Sequence, residues 1–164
     1  MNDILAGSHE GGYAPFSFDI TPLLEKGTQN IKVRVWDPTD DGPQAVGKQM
    51  KRPHGIFYTP VTGIWQTVWL EPVPESHIGN IRITPDLDKS LWRIETSVVN
   101  PEPEHLISIT IRDRATGETV AAMKAMAGTV AEAIVTDPKL WTPETPNLYD
   151  VEITLLKGKK EVDK

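Results

Sequence analysis

Cysteine is absent from the 164 residues, which excludes disulfide bonds, thiol nucleophiles and thiolate metal sites. Basic residues are also in the minority, since 17 lysines and arginines face 23 acidic residues and leave a formal charge of −6. Without a basic surface, we expect no nucleic acid among the partners. No apolar run approaches the ~18 residues of a membrane span, so we expect no membrane partner either.

Targeting signals are missing as well. Residues 1–7 have neither the positively charged start nor the apolar core of a secretory signal peptide. The location of the protein is therefore unknown from this chain. If the protein is exported, we expect its signal to lie outside this sequence.

Proline is abundant, with 14 residues, and the prolines fall between short apolar runs rather than inside helical patterns. Within those runs apolar residues tend to alternate with polar ones, which is typical of half-buried strands. The sequence therefore predicts an all-β protein. The predicted strands lie near residues 31–35, 64–70, 78–84, 91–99, 107–111, 118–124, 130–136 and 149–156.

Two local signals complete this pattern. Thr21 followed by Pro22 predicts a single helical turn with Thr21 as its N-cap. The stretch E-P-V-P-E, residues 71–75, places two prolines between one series of strands and the next. We therefore predict a domain boundary near residue 74.

The stretch S-H-E-G-G-Y-A-P-F-S-F-D-I, residues 8–20, could be a reaction centre or a tight turn. A reactive histidine at position 9 would need a nucleophile and an orienting group nearby, and the local sequence offers neither. The glycine pair at 11 and 12 instead provides the freedom for a tight turn, and alternating apolar residues follow it. We interpret the stretch as a hairpin that leads into a core.

Three motifs then follow in order: H-E-G-G-Y-A-P-F-S-F-D-I-T, N-I-K-V-R-V-W-D-P-T-D and Y-T-P-V-T-G-I-W-Q-T-V-W-L-E-P-V-P. Together they resemble the later part of the sugar-binding jelly-roll domain of glycoside hydrolase family 2, which includes β-galactosidases and β-glucuronidases. D-P-K-L-W-T-P-E-T-P-N-L-Y-D-V, residues 137–151, resembles a signature near the end of the immunoglobulin-like sandwich in that family. The resemblance implies an all-β chain, with a partial jelly-roll β-sandwich in residues 1–74 and an immunoglobulin-like β-sandwich in residues 75–164.

The resemblance also implies what this chain does not contain. The family places its two catalytic carboxylates in a (β/α)₈ barrel, one of them in an Asn-Glu pair, and no Asn-Glu pair occurs here. We therefore expect an internal fragment of a larger bacterial enzyme of the periplasm or the exterior, with that barrel as its partner. The expected function is a non-catalytic scaffold and rim of the active site, with no activity and no catalytic residue in this chain alone. An independent carbohydrate-binding or adhesion module is the alternative, and an active enzyme is a third possibility.

The best candidate for ligand contact is the long segment 37–55, because long loops in compact domains are often functional. Its start, D-P-T-D-D-G, is similar to the first half of a twelve-residue calcium-binding loop. The twelfth position of such a loop should be glutamate, and here it is Lys48. We therefore expect no metal and no cofactor. The candidates for substrate contact, with carbohydrate as the ligand, are Lys48, Gln49, His54 and Tyr58.

Five tryptophans invite a lectin interpretation, because aromatic faces stack on sugars. Packing in a core or between domains is the stronger interpretation for Trp65 and Trp69, because they share one strand face. Trp141 lies in a proline-rich loop, which we expect to pack on its own sandwich. A partial jelly roll would also expose apolar residues such as Phe18 and Val33. Because large exposed apolar patches are rare in monomers, the sequence predicts a homo-oligomer.

Overall fold

The computed structural model describes all residues, Met1–Lys164, and they form two compact units. The first unit is Met1–Trp69 and the second is Leu70–Lys164. No helix in either unit has the length and apolar character needed to span a membrane. The regular structure is almost entirely extended, so the all-β prediction is confirmed.

All seven strands belong to the second unit, and they are short and antiparallel. Each predicted strand beyond residue 75 is present, with bounds shifted by a few residues. The strands are β1 (His77–Asp86), β2 (Leu91–Val99), β3 (His105–Asp113), β4 (Thr119–Met126), β5 (Val130–Ile134), β6 (Tyr149–Lys157) and β7 (Lys160–Asp163).

The strands form two sheets, one with the order β1-β2-β5 and the other with the order β4-β3-β6-β7. When the strands are lettered as in immunoglobulin domains, the first sheet has the order A-B-E and the second has the order C′-C-F-G. This is a seven-stranded β-sandwich of immunoglobulin-like organisation. Strands that follow one another in the chain, such as β2 and β3, can lie in different sheets, so the chain crosses between the two layers.

The core lies between these two sheets, because the strand alternation turns one face of each sheet inward. In β3 every second residue is buried, including Ile107, Ile109 and Ile111. Their cross-strand partners in β6 continue the same layer, since Ile109 pairs with Ile153 and Ile107 pairs with Leu155. The facing sheet contributes the following buried residues: Ile94, Ala131, Ala133 and Val135. Each large side chain buried in this way stabilises the fold by about 1.5–3 kcal/mol.

The first unit differs from the sequence prediction, because segments 31–35 and 64–70 form no strands. Val33 is 58% exposed and Trp69 is 69% exposed, so the expectation of core packing for Trp69 is wrong, while packing against another domain stays a prediction. A strand exists only when its backbone groups pair with a neighbouring strand, and no segment of the first unit pairs with these two. The assignment of this unit to a partial jelly roll stays a prediction.

The predicted helical turn is present as one 3₁₀ turn over Thr21–Leu23. The prediction that Thr21 caps it is wrong, because Ile20 occupies the N-cap position without a side-chain hydrogen bond. Thr21 instead donates its backbone N–H to the Asp19 carboxylate at 2.8 Å. Hydrogen bonding with the Thr21 side chain, and secondarily this backbone bond, holds the pKa of Asp19 below the ordinary carboxyl value.

Candidate functional site

The predicted contact loop of the first unit contains a small hydrogen-bonded framework. Tyr58 donates its backbone N–H to the Lys48 carbonyl at 2.6 Å, and Met50 donates to the Tyr58 carbonyl at 3.1 Å. These two bonds form an isolated parallel bridge between Gln49 and Tyr58. The structure therefore brings Lys48, Gln49 and Tyr58 together, although they are separated by up to ten positions in the sequence.

The side chains of this loop are exposed, but they are not all free. The Gln49 side-chain oxygen accepts the backbone N–H of Val61 at 2.6 Å, which ties the bridge to the following segment. His54 lies outside the bridge, and its Nδ1 contacts the Arg52 carbonyl at 3.1 Å. Because a carbonyl can only accept, Nδ1 is the donor in this contact, and in the neutral ring Nε2 is then an acceptor. Lys48, His54 and Tyr58 thus present a donor, an acceptor and a hydroxyl to solvent.

The acidic residues at the start of the loop are occupied by local bonds. Asp37 accepts the backbone N–H of Thr39 at 2.7 Å, and Asp40 accepts that of Lys51 at 3.3 Å. Asp41 forms an ion pair with the Lys51 ammonium. The structure contains no group of three or more histidine or acidic side chains placed to hold a metal ion. The exposed polar side chains of this loop are able to donate and accept hydrogen bonds.

A second cluster lies at one corner of the sandwich, where the chain passes from β5 to β6. The Asp113 carboxylate, at the end of β3, accepts a hydrogen bond from the Lys139 ammonium at 2.5 Å. It also accepts hydrogen bonds from the backbone N–H groups of Ala115 and Thr116, at 2.8 and 3.1 Å. The Tyr149 hydroxyl, at the start of β6, accepts the backbone N–H of Lys139 at 2.7 Å. A tyrosine that bonds back to the preceding loop in this way is typical of immunoglobulin-like domains.

The corner cluster shifts the protonation of both charged members. The hydrogen bond from Lys139 holds the pKa of Asp113 below its ordinary value, in spite of the opposing effect of burial. The same bond raises the pKa of Lys139. The Tyr149 ring is anchored from its other side, since it packs edge-on against Trp92 with ring centroids 5.4 Å apart.

The sequence profile of the family described as Glycosyl hydrolases family 2 matches residues 76–164, which is more than half of the chain and covers the strands of the sandwich. The chain belongs to glycosyl hydrolase family 2. The resemblance seen in the motifs is thereby confirmed.

Curated relatives of this family 2 chain match along nearly its whole length. A protein of Formosa agariphila named as a β-glucuronidase is 31% identical over 99% of the chain and 20% of its own length. β-Galactosidases of Thermoanaerobacter pseudethanolicus and Klebsiella pneumoniae are 26% and 29% identical, over 99% and 96% of the chain and 22% and 16% of their own lengths. The chain therefore spans about a fifth of the length of these relatives.

Solved structures of the same family are also similar to the chain. A family 2 member from Bacteroides cellulosilyticus is 20% identical, with a TM-score of 0.49, over 56% of this chain and 15% of that one. The β-glucuronidase of Ruminococcus gnavus is 21% identical, with a TM-score of 0.43, over 55% of this chain and 14% of that one.

One pair of acidic residues in the family 2 sandwich resembles a catalytic arrangement at first sight. Glu102 and Glu104 both contact the Lys157 ammonium, at 2.5 and 3.2 Å. Retaining glycosidases do use two carboxyl groups about 5–5.5 Å apart. Here both carboxylates share one exposed ammonium, and the hydrogen bond from Lys157 lowers the pKa of Glu102. In this structure the pair forms an exposed ion cluster.

Several other acidic side chains of the sandwich strands are likewise paired with cations. On the outer face of the three-stranded sheet, Arg82 forms two 2.6 Å hydrogen bonds to Glu95, and Arg93 lies 3.1 Å from Glu132. In the other sheet Glu152 contacts Lys164 at 2.9 Å, and this contact lowers the pKa of Glu152. These are the solvated ion pairs of a β-sheet surface, which contribute little individually.

Sequence reasoning missed the corner cluster altogether. Asp113 and Lys139 are 26 positions apart, and neither belongs to a motif that predicts their contact. The available signal was Tyr149, near the end of the 137–151 signature and at the first position of a predicted strand. The expectation that Trp141 packs on its own sandwich is also wrong, because Trp141 is 59% exposed.

Proposed function

We propose that this chain is a non-catalytic β-sandwich portion of a family 2 glycoside hydrolase, whose hydrolysis of β-galactoside or β-glucuronide bonds is carried out by a separate (β/α)₈ barrel. The observation that carries this proposal is the position of the family match, which lies on a sandwich where several carboxylates, among them Glu95, Glu102 and Asp113, form ion pairs. The relatives support it, since their names are those of glycosidases and their lengths are several times greater.

The scaffold role has a direct physical basis in the sandwich. A two-layered sheet with an apolar core keeps its shape without ligands, and its ends can therefore hold neighbouring domains at a constant distance. Residues 1–74 are proposed as the later part of a sugar-binding jelly roll, with residues 75–164 as the immunoglobulin-like domain that follows it. The catalytic barrel is the proposed partner of both.

The first prediction is that the chain alone hydrolyses neither nitrophenyl β-galactoside nor nitrophenyl β-glucuronide above the rate in buffer. Glycosidases accelerate hydrolysis by many orders of magnitude, so even a trace of true activity is detectable. Release of nitrophenol at high protein concentration is the measurement. Turnover that persists through repurification and scales with the amount of this protein would contradict the scaffold proposal.

We also propose that the loop containing the Gln49–Tyr58 bridge contributes to the rim of the sugar-binding site. The bridge fixes the backbone of Lys48 and Tyr58, so their side chains can meet sugar hydroxyl groups without a large loss of loop entropy. Gln49 acts here through its bond to Val61, and His54 offers its Nε2 as an acceptor.

The second prediction tests this rim. Galactose or glucuronate, titrated to concentrations of about 0.1 M, should shift the amide resonances of Lys48 and Tyr58 with a dissociation constant in the millimolar range or weaker. Replacing Tyr58 with alanine should remove the shifts, whereas the same change at Tyr13, which is similarly exposed, should leave them. Shifts of equal size in both variants, or none in the unmodified chain, would show that the loop is not a sugar contact.

A homo-oligomer is the remaining part of the proposal. The first unit exposes several large apolar side chains on short stretches of chain, among them Phe16, Ile31, Val33 and Trp65. Burial of such surface against a second copy recovers about 25 cal/mol per Å² of apolar area. We therefore propose that two copies associate through the first unit.

A further inference from the structure

Lys139 is held at two of its atoms by two different elements of the sandwich. Its ammonium donates to the Asp113 carboxylate at 2.5 Å, and its backbone N–H donates to the Tyr149 hydroxyl at 2.7 Å. Asp113 itself is 5% exposed, and its second carboxylate oxygen accepts two backbone N–H groups of the β3–β4 turn. A single buried carboxylate therefore joins that turn to the β5–β6 connection.

Lys139 also stands at the start of a strongly hydrogen-bonded loop, residues 138–148, which we term the corner loop. Asn147 closes it by donating its side-chain amide to the Leu140 carbonyl at 2.9 Å. Thr142 and Thr145 bond to each other through backbone and side chain at 2.9–3.0 Å. Trp141 pairs with Pro146 in an isolated antiparallel bridge, yet its side chain stays 59% exposed.

We propose that Asp113 is an acid-sensitive latch, which holds the corner loop through Lys139 and so keeps Trp141 presented at the surface. The loop has little else to hold it to the sandwich, because Leu140, Trp141 and Leu148 are exposed rather than packed. The remaining attachments are the Tyr149 hydroxyl and the Leu148 carbonyl, which accepts the backbone N–H of Arg114 at 3.0 Å. Asp113 is a positioning residue in this arrangement, since it acts on Trp141 only through Lys139.

The charged groups around the latch determine its response to pH. Three groups face the Lys139 ammonium: the Asp113 carboxylate, the Tyr149 phenol of β6 and the Glu118 carboxylate of the β3–β4 turn. Arg114 and Asp150 form a separate ion pair at 2.5 Å. Lys139 lowers the pKa of Asp113, so the ion pair is complete at neutral pH and is lost as the pH falls through that lowered value. Because the bond raises the pKa of Lys139, the latch does not open at moderately alkaline pH.

Amide hydrogen exchange of the unmodified 164-residue chain and its variants tests the latch. Replacing Asp113 with asparagine keeps an oxygen that can accept from the turn but removes the negative charge that holds Lys139. At about pH 7 the amides of Thr142, Thr145 and Asn147 should then exchange about tenfold faster, while that of Ile109 in the core should change much less. Asp150→Asn is the matched control, because it removes an exposed carboxylate from a neighbouring ion pair, and it should leave the corner loop unchanged.

The pH profile separates a latch from a general loss of stability. Corner-loop exchange in the unmodified chain, corrected for the intrinsic rate, should rise as the pH falls from about 5 to about 2, through the lowered pKa of Asp113. Lys139→Met, which keeps the aliphatic stem, should exchange fast at both pH values and lose this rise. If Asp113→Asn fails to fold, the exchange of Lys139→Met at the two pH values tests the proposal by itself. A rise of equal size in Lys139→Met, or equal corner-loop exchange in Asp113→Asn and Asp150→Asn, would overturn the proposal.

Discussion

Replacing Ile109 with alanine should lower the free energy of unfolding of the sandwich by about 2–5 kcal/mol. Ile109 lies at the centre of β3, is 1% exposed and pairs with both Met123 and Ile153. Truncation leaves a cavity between the sheets as well as removing apolar contacts. Since a domain of this kind is stabilised by only about 5–15 kcal/mol, the variant should lose a large part of its stability.

Urea unfolding followed by far-ultraviolet circular dichroism measures this change. Ile134→Ala is the matched control, because Ile134 lies in β5 but is 67% exposed, and its loss should cost about 0.5 kcal/mol or less. Ile109→Val should fall between the two, at about 0.5–1.5 kcal/mol. Equal losses for Ile109→Ala and Ile134→Ala would mean that the core does not lie between the two sheets.

The chain should sediment as a dimer at high concentration, with twice the mass expected for 164 residues. The physical reason is the set of large apolar side chains that the first unit leaves exposed, since large contiguous apolar patches are rare on soluble monomers. An unpaired extended segment such as 31–35 can also add to its copy in a second molecule through backbone hydrogen bonds. Equilibrium sedimentation over a hundredfold range of concentration is the measurement.

Val33→Lys should shift that equilibrium towards monomer, because a charge placed at an apolar contact must be desolvated when the contact forms. Val130→Lys is the matched control, since Val130 is similarly exposed but belongs to the sandwich. A monomer at every concentration, without binding of a dye for apolar surface, would refute association through the first unit. An unchanged dimer in Val33→Lys would place the contact elsewhere.

The contact loop illustrates how far a site can be read from local sequence. The absence of any strand pattern in residues 37–55 was enough to single out the loop, and the candidates Lys48, Gln49 and Tyr58 do come together there. Their bridge could not be foreseen, because it depends on two backbone bonds that no side-chain pattern records. His54 is a candidate by residue type alone, and its ring contacts the Arg52 carbonyl.

The amino-acid sequence by itself determined the strands of the sandwich and the family. Alternation of apolar residues is a property of each strand taken separately, and long motifs in a given order depend only on the chain. Strand formation depends on more than the sequence of the segment itself, because a neighbouring strand must form backbone hydrogen bonds with it. Residues 31–35 carry the same alternation as β3, yet only β3 finds neighbours on both sides. The tertiary structure alone decided the contact of Asp113 with Lys139 and the exposure of Trp141, because both depend on where the β5–β6 connection crosses the end of β3.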